Sequence, residues 1–321
     1  MFHCLHFAAL PLCTATLVGN LGAIPTRCTA IPLSELARRS ESVASYEESG
    51  NVGRLQGKNL QVKCRHNSAC YCLNGVNIYG QCPVSGSAGH LRVSEQDWHR
   101  VLVPLLSPPP IAPIRCVCID PGHGGSDPGS RVASLGLEEK KLTLDIARRL
   151  QTLLEMRGIR CILTRKTDEF IPLKNRSMAA NHNNCDLFVS IHFNAADNIS
   201  AEGIETYILP CQGMPSTSRL QNVSGKDREF FPNNRCDEQN LYLGYCLQKE
   251  LHRIPMTKDR GLRRGRFVVL ESTQCPAALV ECGFLTAKGE GQRIVNERYR
   301  QEIAQALCDG ICAYGSIASR N

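Results

Sequence analysis

Ile114-Arg115-Cys116-Val117-Cys118-Ile119-Asp120-Pro121-Gly122-His123-Gly124-Gly125 is the stretch that decides the fold. An apolar strand from Ile114 to Ile119 runs into a glycine-rich turn carrying a histidine. Glycine there lets the backbone turn tightly and approach a bound group. Downstream, Leu142, Ile146, Leu150 and Leu153 recur at helical spacing until Gly158 stops the run. Ile159 to Thr164 reads as strand, Leu173 to Asn181 as helix, and Leu187 to Ile191 as a buried strand. Further strands are expected at Gly203 to Leu209, Phe267 to Leu270 and Ala277 to Val280, and helices at Leu241 to His252 and Ile294 to Ala313. This alternation specifies an α/β domain over 114–317, built on an open, mostly parallel twisted sheet with helices on both faces.

Upstream, Ser107-Pro108-Pro109-Pro110-Ile111-Ala112-Pro113 marks a stiff linker over 107–113. Before it, residues 58–106 read as a small β-rich α+β module. Leu60, Val62 and Cys64 alternate with polar residues, and Asn74-Gly75 between apolar residues signals a hairpin. Ser94, followed by Asp97, caps a helix through Trp98 to Leu106. The Ser- and Glu-rich stretch 31–57 reads as a loose connector. Residues 1–30 are expected to be an export leader, with a misassigned start codon as the competing explanation: Phe7 to Gly19 is apolar but too short to span a membrane stably. That leader lacks the usual basic start, since no Lys or Arg precedes Arg27.

The chain has 321 residues, 42% of them apolar and 21% charged, which suits a folded globular protein. Its net charge of +7 is mild, and Lys and Arg are scattered, unlike the stripe of a nucleic-acid binder. Of its 18 cysteines, Cys116, Cys118, Cys161, Cys275 and Cys282 fall in or beside strands and serve as small buried hydrophobes. Cys64, Cys70, Cys72 and Cys82 form one set of disulfide candidates, and Cys211 with Cys236 another.

Four segments carry the chemistry. They are the Asp120 to Gly125 turn, Gly136-Leu137-Glu138-Glu139-Lys140, Ser190-Ile191-His192-Phe193-Asn194-Ala195, and Val280-Glu281-Cys282-Gly283-Phe284. Open α/β sheets bind ligands beyond the carboxyl ends of their strands, where both His123 and His192 fall. A carboxylate in the first turn of the next helix, Glu139 or its neighbour Glu138, can face the same edge. Two histidines and one glutamate can hold a zinc ion and leave a position open, as catalytic sites do. Glu281 follows an apolar strand, where an unpaired carboxylate is costly; it supplies a separate base. Asp120 can orient a ligating imidazole. Taken singly, either histidine is more often structural and Glu139 merely a helix-start charge; together, at matching strand ends, they define a site. No phosphate loop, no Gly-x-Ser-x-Gly elbow and no His-Glu-x-x-His helix competes.

With these motifs, and with Leu173-Lys174-Asn175-Arg176, Gly203-Ile204-Glu205-Thr206, Asp259-Arg260-Gly261-Leu262 and Cys275-Pro276-Ala277, residues 114–315 resemble the zinc-dependent N-acetylmuramoyl-L-alanine amidases of bacterial cell-wall turnover. The resemblance implies one zinc per chain on His123, Glu139 and His192, with Glu281 as catalytic acid/base. It implies peptidoglycan as substrate, cut between N-acetylmuramic acid and L-alanine, in the periplasm or cell envelope. Arg176, Asn194 and Arg263 are the expected substrate contacts. A zinc carboxypeptidase acting on the stem peptide, or a non-catalytic wall-binding protein, is the alternative. Some relatives carry a helix that blocks the zinc until a regulatory partner removes it. Here Cys211 to Asp237 contains Gly213, Pro215, Gly225 and Pro232 and is expected to form a loop, favouring constitutive activity.

Overall fold

The computed structural model describes residues 29–47, 49–219 and 223–316, so the expected leader lies outside them except for its last two positions. A single 11-stranded sheet organises the chain. In chain order its strands are β1 (Val43–Tyr46), β2 (Val52–Gln56), β3 (Gln61–Arg65), β4 (Cys70–Leu73), β5 (Val76–Tyr79), β6 (Cys116–Pro121), β7 (Arg160–Leu163), β8 (Leu187–Asn194), β9 (Ile204–Ile208), β10 (Asp259–Arg264) and β11 (Ala277–Phe284). They lie side by side as β7-β6-β8-β11-β9-β10-β5-β4-β3-β2-β1.

From β7 to β10 the neighbours are parallel, except that β9 runs antiparallel to β11. Besides a helical run over 95–106, the α-helices among the described residues are α1 (Leu33–Arg39), α2 (Glu139–Glu155), α3 (Leu173–His182), α4 (Asp237–His252), α5 (Val268–Glu271), α6 (Lys288–Val295) and α7 (Glu297–Gly315). On one face α2, α4 and α7 bury Ile146, Leu150, Leu247, Ile303 and Leu307 against Val117, Ile119, Val189, Ile191 and Val280. The other face carries Cys116, Cys118, Phe188, Ala277 and Leu279, packed with Ala180 of α3 and with Val269 and Leu270 of α5. Covering both faces explains why the central strands are continuous apolar runs. Each fully buried Leu or Ile contributes about 1.5–3 kcal/mol. Among the described residues, no helix is long and apolar enough to cross a membrane.

Several expectations need correction. The connector 31–57 is structured: α1 buries Leu33, Leu36 and Ala37, and β1 and β2 add two strands to the sheet. The apolar stripe of this seven-residue helix is too short to stand out among charged neighbours. Ala30–Pro32 pairs with His90–Ser94 in a small side sheet, tying this stretch into the module. The module joins the main sheet, because β5 pairs with β10 through Ile78 and Leu262. Phe267 to Leu270, β-branched and apolar, forms the helical turn α5 instead of a strand. Tertiary packing of Val269 and Leu270 overrides strand propensity there. The last expected helix is two: Asn296 ends α6, and its side chain accepts the Arg298 N–H to cap α7. The strand at Ala277 continues through Glu281 to Phe284.

The disulfide candidates Cys64, Cys70, Cys72, Cys211 and Cys236 are free thiols. Cys64 stands opposite buried Tyr71, so Cys70 and Cys72 on either side of Tyr71 point to the other face. Cys211 to Asp237 holds only short 3-10 turns among its described residues. Its Asp227 and Thr217 bond Arg266 and Arg264.

Candidate metal centre and active site

His123 sits in the turn after β6, His192 near the end of β8, and Glu139 opens α2. One ligand atom from each lies within 4.8 Å of the others. Glu139 Oε1 stands 3.0 Å from His123 Nε2 and 3.1 Å from His192 Nδ1. The two imidazole rings meet edge to face, their centroids 4.9 Å apart. Glu139 is fixed from behind, since Oε1 accepts the Phe193 N–H at 3.0 Å and Oε2 the Ser130 N–H at 2.9 Å. Glu138, the neighbouring alternative, turns outward to Arg131 and Lys141.

The turn is shaped for this approach. A Cβ on Gly122 would lie 2.3 Å from the His192 ring, so glycine alone lets that ring pack there. His123 itself adopts φ 60°, a left-handed conformation costly for a non-glycine residue and held by its surroundings. Arg176 and Arg165 hold the turn through its carbonyls: Arg176 donates to Pro121 O and His123 O, Arg165 to Pro121 O and Gly122 O.

Two expected roles change accordingly. Arg176, expected at the substrate, is 2% exposed and forms a buried ion pair with Asp120 at 2.9 Å. Asp120, expected beside a ligating imidazole, instead accepts from Arg176, Thr164 and Ser190. The imidazole-orienting role falls to Asp127, whose Oδ2 lies 2.8 Å from His123 Nδ1. Its place four residues after His123 in the same glycine-rich turn was the available signal.

The electrostatics favour a positive charge in this pocket. Burial works to lower the His123 pKa, but Asp127 and Glu139 overcome it and raise it to about 10. Burial likewise opposes ionisation of Glu139, yet His123 and His192 hold its carboxyl far below the usual range. A cation meets the same demand as the proton on His123, and the donor set of two imidazoles and a carboxylate suits zinc.

Glu281 stands directly opposite His192 across the β8–β11 ladder and opposite Glu205 across β11–β9. Its Oε2 is sealed from solvent with no hydrogen-bond partner. Burial, then Glu139 and Glu205, push its carboxyl pKa well up. Glu205, which sequence reasoning did not single out, is buried and collects three donors and one further ion pair. The donors are Asn194 Nδ2 at 2.7 Å, the Tyr207 hydroxyl at 3.0 Å and Arg260 Nε at 3.1 Å, and Arg263 Nε, which donates to the Arg260 carbonyl, lies 3.0 Å from the carboxylate. Asn194 and Arg263, expected at substrate, thus pair with Glu205, the residue opposite Glu281.

This constellation, at the carboxyl edge of an α/β sheet, is that of a hydrolase with a His-Glu-His group able to hold a metal ion and a separate carboxylate. The chain belongs to the N-acetylmuramoyl-L-alanine amidase family, which matches residues 117–313. N-acetylmuramoyl-L-alanine amidase AmiA of Salmonella typhimurium is 34% identical over 220 residues, covering 62% of this chain and 76% of the relative. The sporulation-specific N-acetylmuramoyl-L-alanine amidase of Bacillus subtilis is 32% identical, covering 61% and 66%. Among solved structures, the amidase from Clostridium difficile 630 is 33% identical with a TM-score of 0.52, covering 63% of this chain and 97% of that one. The amidase AmiC2 of Nostoc punctiforme is 32% identical, also at TM-score 0.52, covering 62% and 96%.

Proposed function

We propose that this protein hydrolyses the amide between the lactyl group of N-acetylmuramic acid and the L-alanine of the peptidoglycan stem peptide. It uses one zinc ion per chain, held by His123, Glu139 and His192. The observation that carries the reading is the unpartnered, buried Oε2 of Glu281 one strand from His192. An orphaned carboxylate oxygen is expensive unless a reaction uses it. When bound, zinc supplies a Lewis acid for the scissile carbonyl and a positive charge beside Glu281.

Glu281 accepts a proton from the attacking water at a carboxylate oxygen as the new C–O bond forms. It returns that proton to the departing L-alanine nitrogen as the C–N bond breaks. Asp127 holds the proton on His123 Nδ1 and so presents Nε2 to the ligand side. Glu139 keeps both oxygens anchored by the Phe193 and Ser130 amides. Substrate in the wall requires export to the periplasm or cell envelope, which the apolar segment Phe7 to Gly19 serves.

The test is mass spectrometry of muropeptides after incubation with the zinc-loaded protein. Free stem peptides bearing an unblocked L-alanine amine, with peptide-free glycan, are expected. Release of terminal D-alanine alone would make the protein a carboxypeptidase and overturn the reading.

A further inference from the structure

A row of polar side chains crosses the α3/α5 face of the sheet, from the His-Glu-His group into the N-terminal module. His192 on β8 is level with Glu281 on β11, and Glu281 with Glu205 on β9. Tyr207, two residues on from Glu205, is level with Arg263 on β10. Leu262 is level with Ile78 on β5, which puts Tyr79 next to Arg263. The residues between them, Thr206 and Leu262, point to the opposite face, where Thr206 bonds Gln248 of α4.

The guanidinium groups of this row are fixed before any ligand arrives. Arg260 gives its Nε–H to the single carboxylate of Glu205, and Arg263, whose Nε–H goes to the Arg260 carbonyl, forms an ion pair with that carboxylate at 3.0 Å. Arg260 stacks on the Phe284 ring at 4.7 Å and Arg263 on the Tyr79 ring at 4.3 Å. The Tyr79 hydroxyl accepts from Arg263 Nη2 at 3.2 Å. Two positive charges therefore face one negative charge. The side chains of Arg260 and Arg263 remain 32% and 17% exposed, with terminal N–H groups left for a ligand. A stacked, pre-oriented guanidinium with forked donors matches a carboxylate.

We propose that Arg260 and Arg263 form a subsite for a free carboxylate of the stem peptide, and that Tyr79 of the N-terminal module is the positioning residue for Arg263. The proposal rests on the amidase reading for the orientation of the peptide. Neighbouring strands lie about 4.8 Å apart, so β10 is roughly 10 Å from β11. An extended peptide covers that distance in about three residues. The carboxylate recognised thus belongs to the second or third residue beyond the scissile amide.

The test uses the full chain carrying Glu281→Gln, so that the ligand is retained, and calorimetric titration with two probes. One is an N-acetylmuramoyl tripeptide with its second- and third-residue carboxylates free; the other has both amidated. A charge-assisted contact is worth ~1.5–3 kcal/mol, so the free acid should bind about 10–100-fold more tightly. Adding Arg263→Gln should erase that preference by weakening the acid probe alone. Tyr79→Leu should cut it several-fold, and Tyr79→Phe, which keeps the ring, should preserve most of it.

In the chain with Glu281 intact, Tyr79→Leu should raise KM for the acid substrate alone and leave kcat within a few-fold. Equal binding of the two probes, or of neither, overturns the subsite, as does a preference that survives Arg263→Gln. Equal loss of kcat on both substrates makes Tyr79 a structural residue only. If the Glu281-intact chain cleaves neither substrate while the acid preference persists, the amidase reading fails and the subsite stands.

Discussion

Replacing Glu281 with Gln should lower activity and raise the stability of the metal-free protein, two effects of opposite sign from one atom pair. Gln keeps the size of the side chain but cannot accept and return a proton. Loss of a positioned acid/base costs about 10²–10⁴ in rate, or roughly 3–5 kcal/mol of transition-state stabilisation. The stability effect follows from the environment of the carboxyl. Burial, Glu139 and Glu205 raise its folded pKa well above the unfolded value. The folded chain therefore binds this proton more tightly than the unfolded chain. Its contribution is fully present below the unfolded carboxyl pKa of ~4.3 and is lost as pH rises through the folded value. Each unit of that upward shift costs ~1.4 kcal/mol once the group ionises. Gln does not titrate, so the metal-free variant should hold its stability across that window while the parent declines. Muropeptide turnover with measured zinc content, and urea unfolding in chelator between pH 4 and 8, read the two effects. Full turnover in the zinc-loaded variant, or lower stability of the metal-free variant at neutral pH, would refute the assignment.

His123→Ala and His192→Ala should each lose stoichiometric zinc by metal analysis, since each removes one member of the only His-Glu-His group among the described residues. A full zinc equivalent in both variants would dismiss the site. Asp127→Asn removes the anion 2.8 Å from His123 Nδ1. Zinc affinity in competition with a chelator should fall about 10–100-fold; unchanged affinity would mean that Asp127 orients nothing. Arg176→Met leaves Asp120 buried without its ion-pair partner. Unfolding free energy should drop by about 3–5 kcal/mol, and a shift near zero would show that Thr164 and Ser190 suffice.

The catalytic half was legible because its central strands are buried on both faces. Such strands read as unbroken apolar runs, and the residues at their ends fall on one edge. That logic brought His123, His192 and Glu281 to one place, with Glu139 in the first turn of a helix starting nearby. What local pattern could not give were the partners brought from a distance. Asp120 looked like an imidazole partner because it is three residues from His123, but Arg176, far along the chain, claims it. Glu205 lay in a quoted motif, yet its importance depends on β9 running beside β11, which no spacing reveals. Helix α1 and strand β2 were missed because their apolar faces are short and their exposed faces strongly polar.

The pairing of β5 with β10 also bears on how this protein could be divided. Without β5, strand β10 would present a row of open backbone N–H and C=O groups, the kind of sheet margin that recruits other chains into aggregates. Asn77 further seals that margin, its backbone N–H donating to Asp259 Oδ2 at 2.6 Å. The segment shared with the amidase family begins at residue 117, well after the strand that supplies this cover. The module is therefore a plug as much as an appendage, and a fragment cut at the proline linker would carry an unguarded flank into solution.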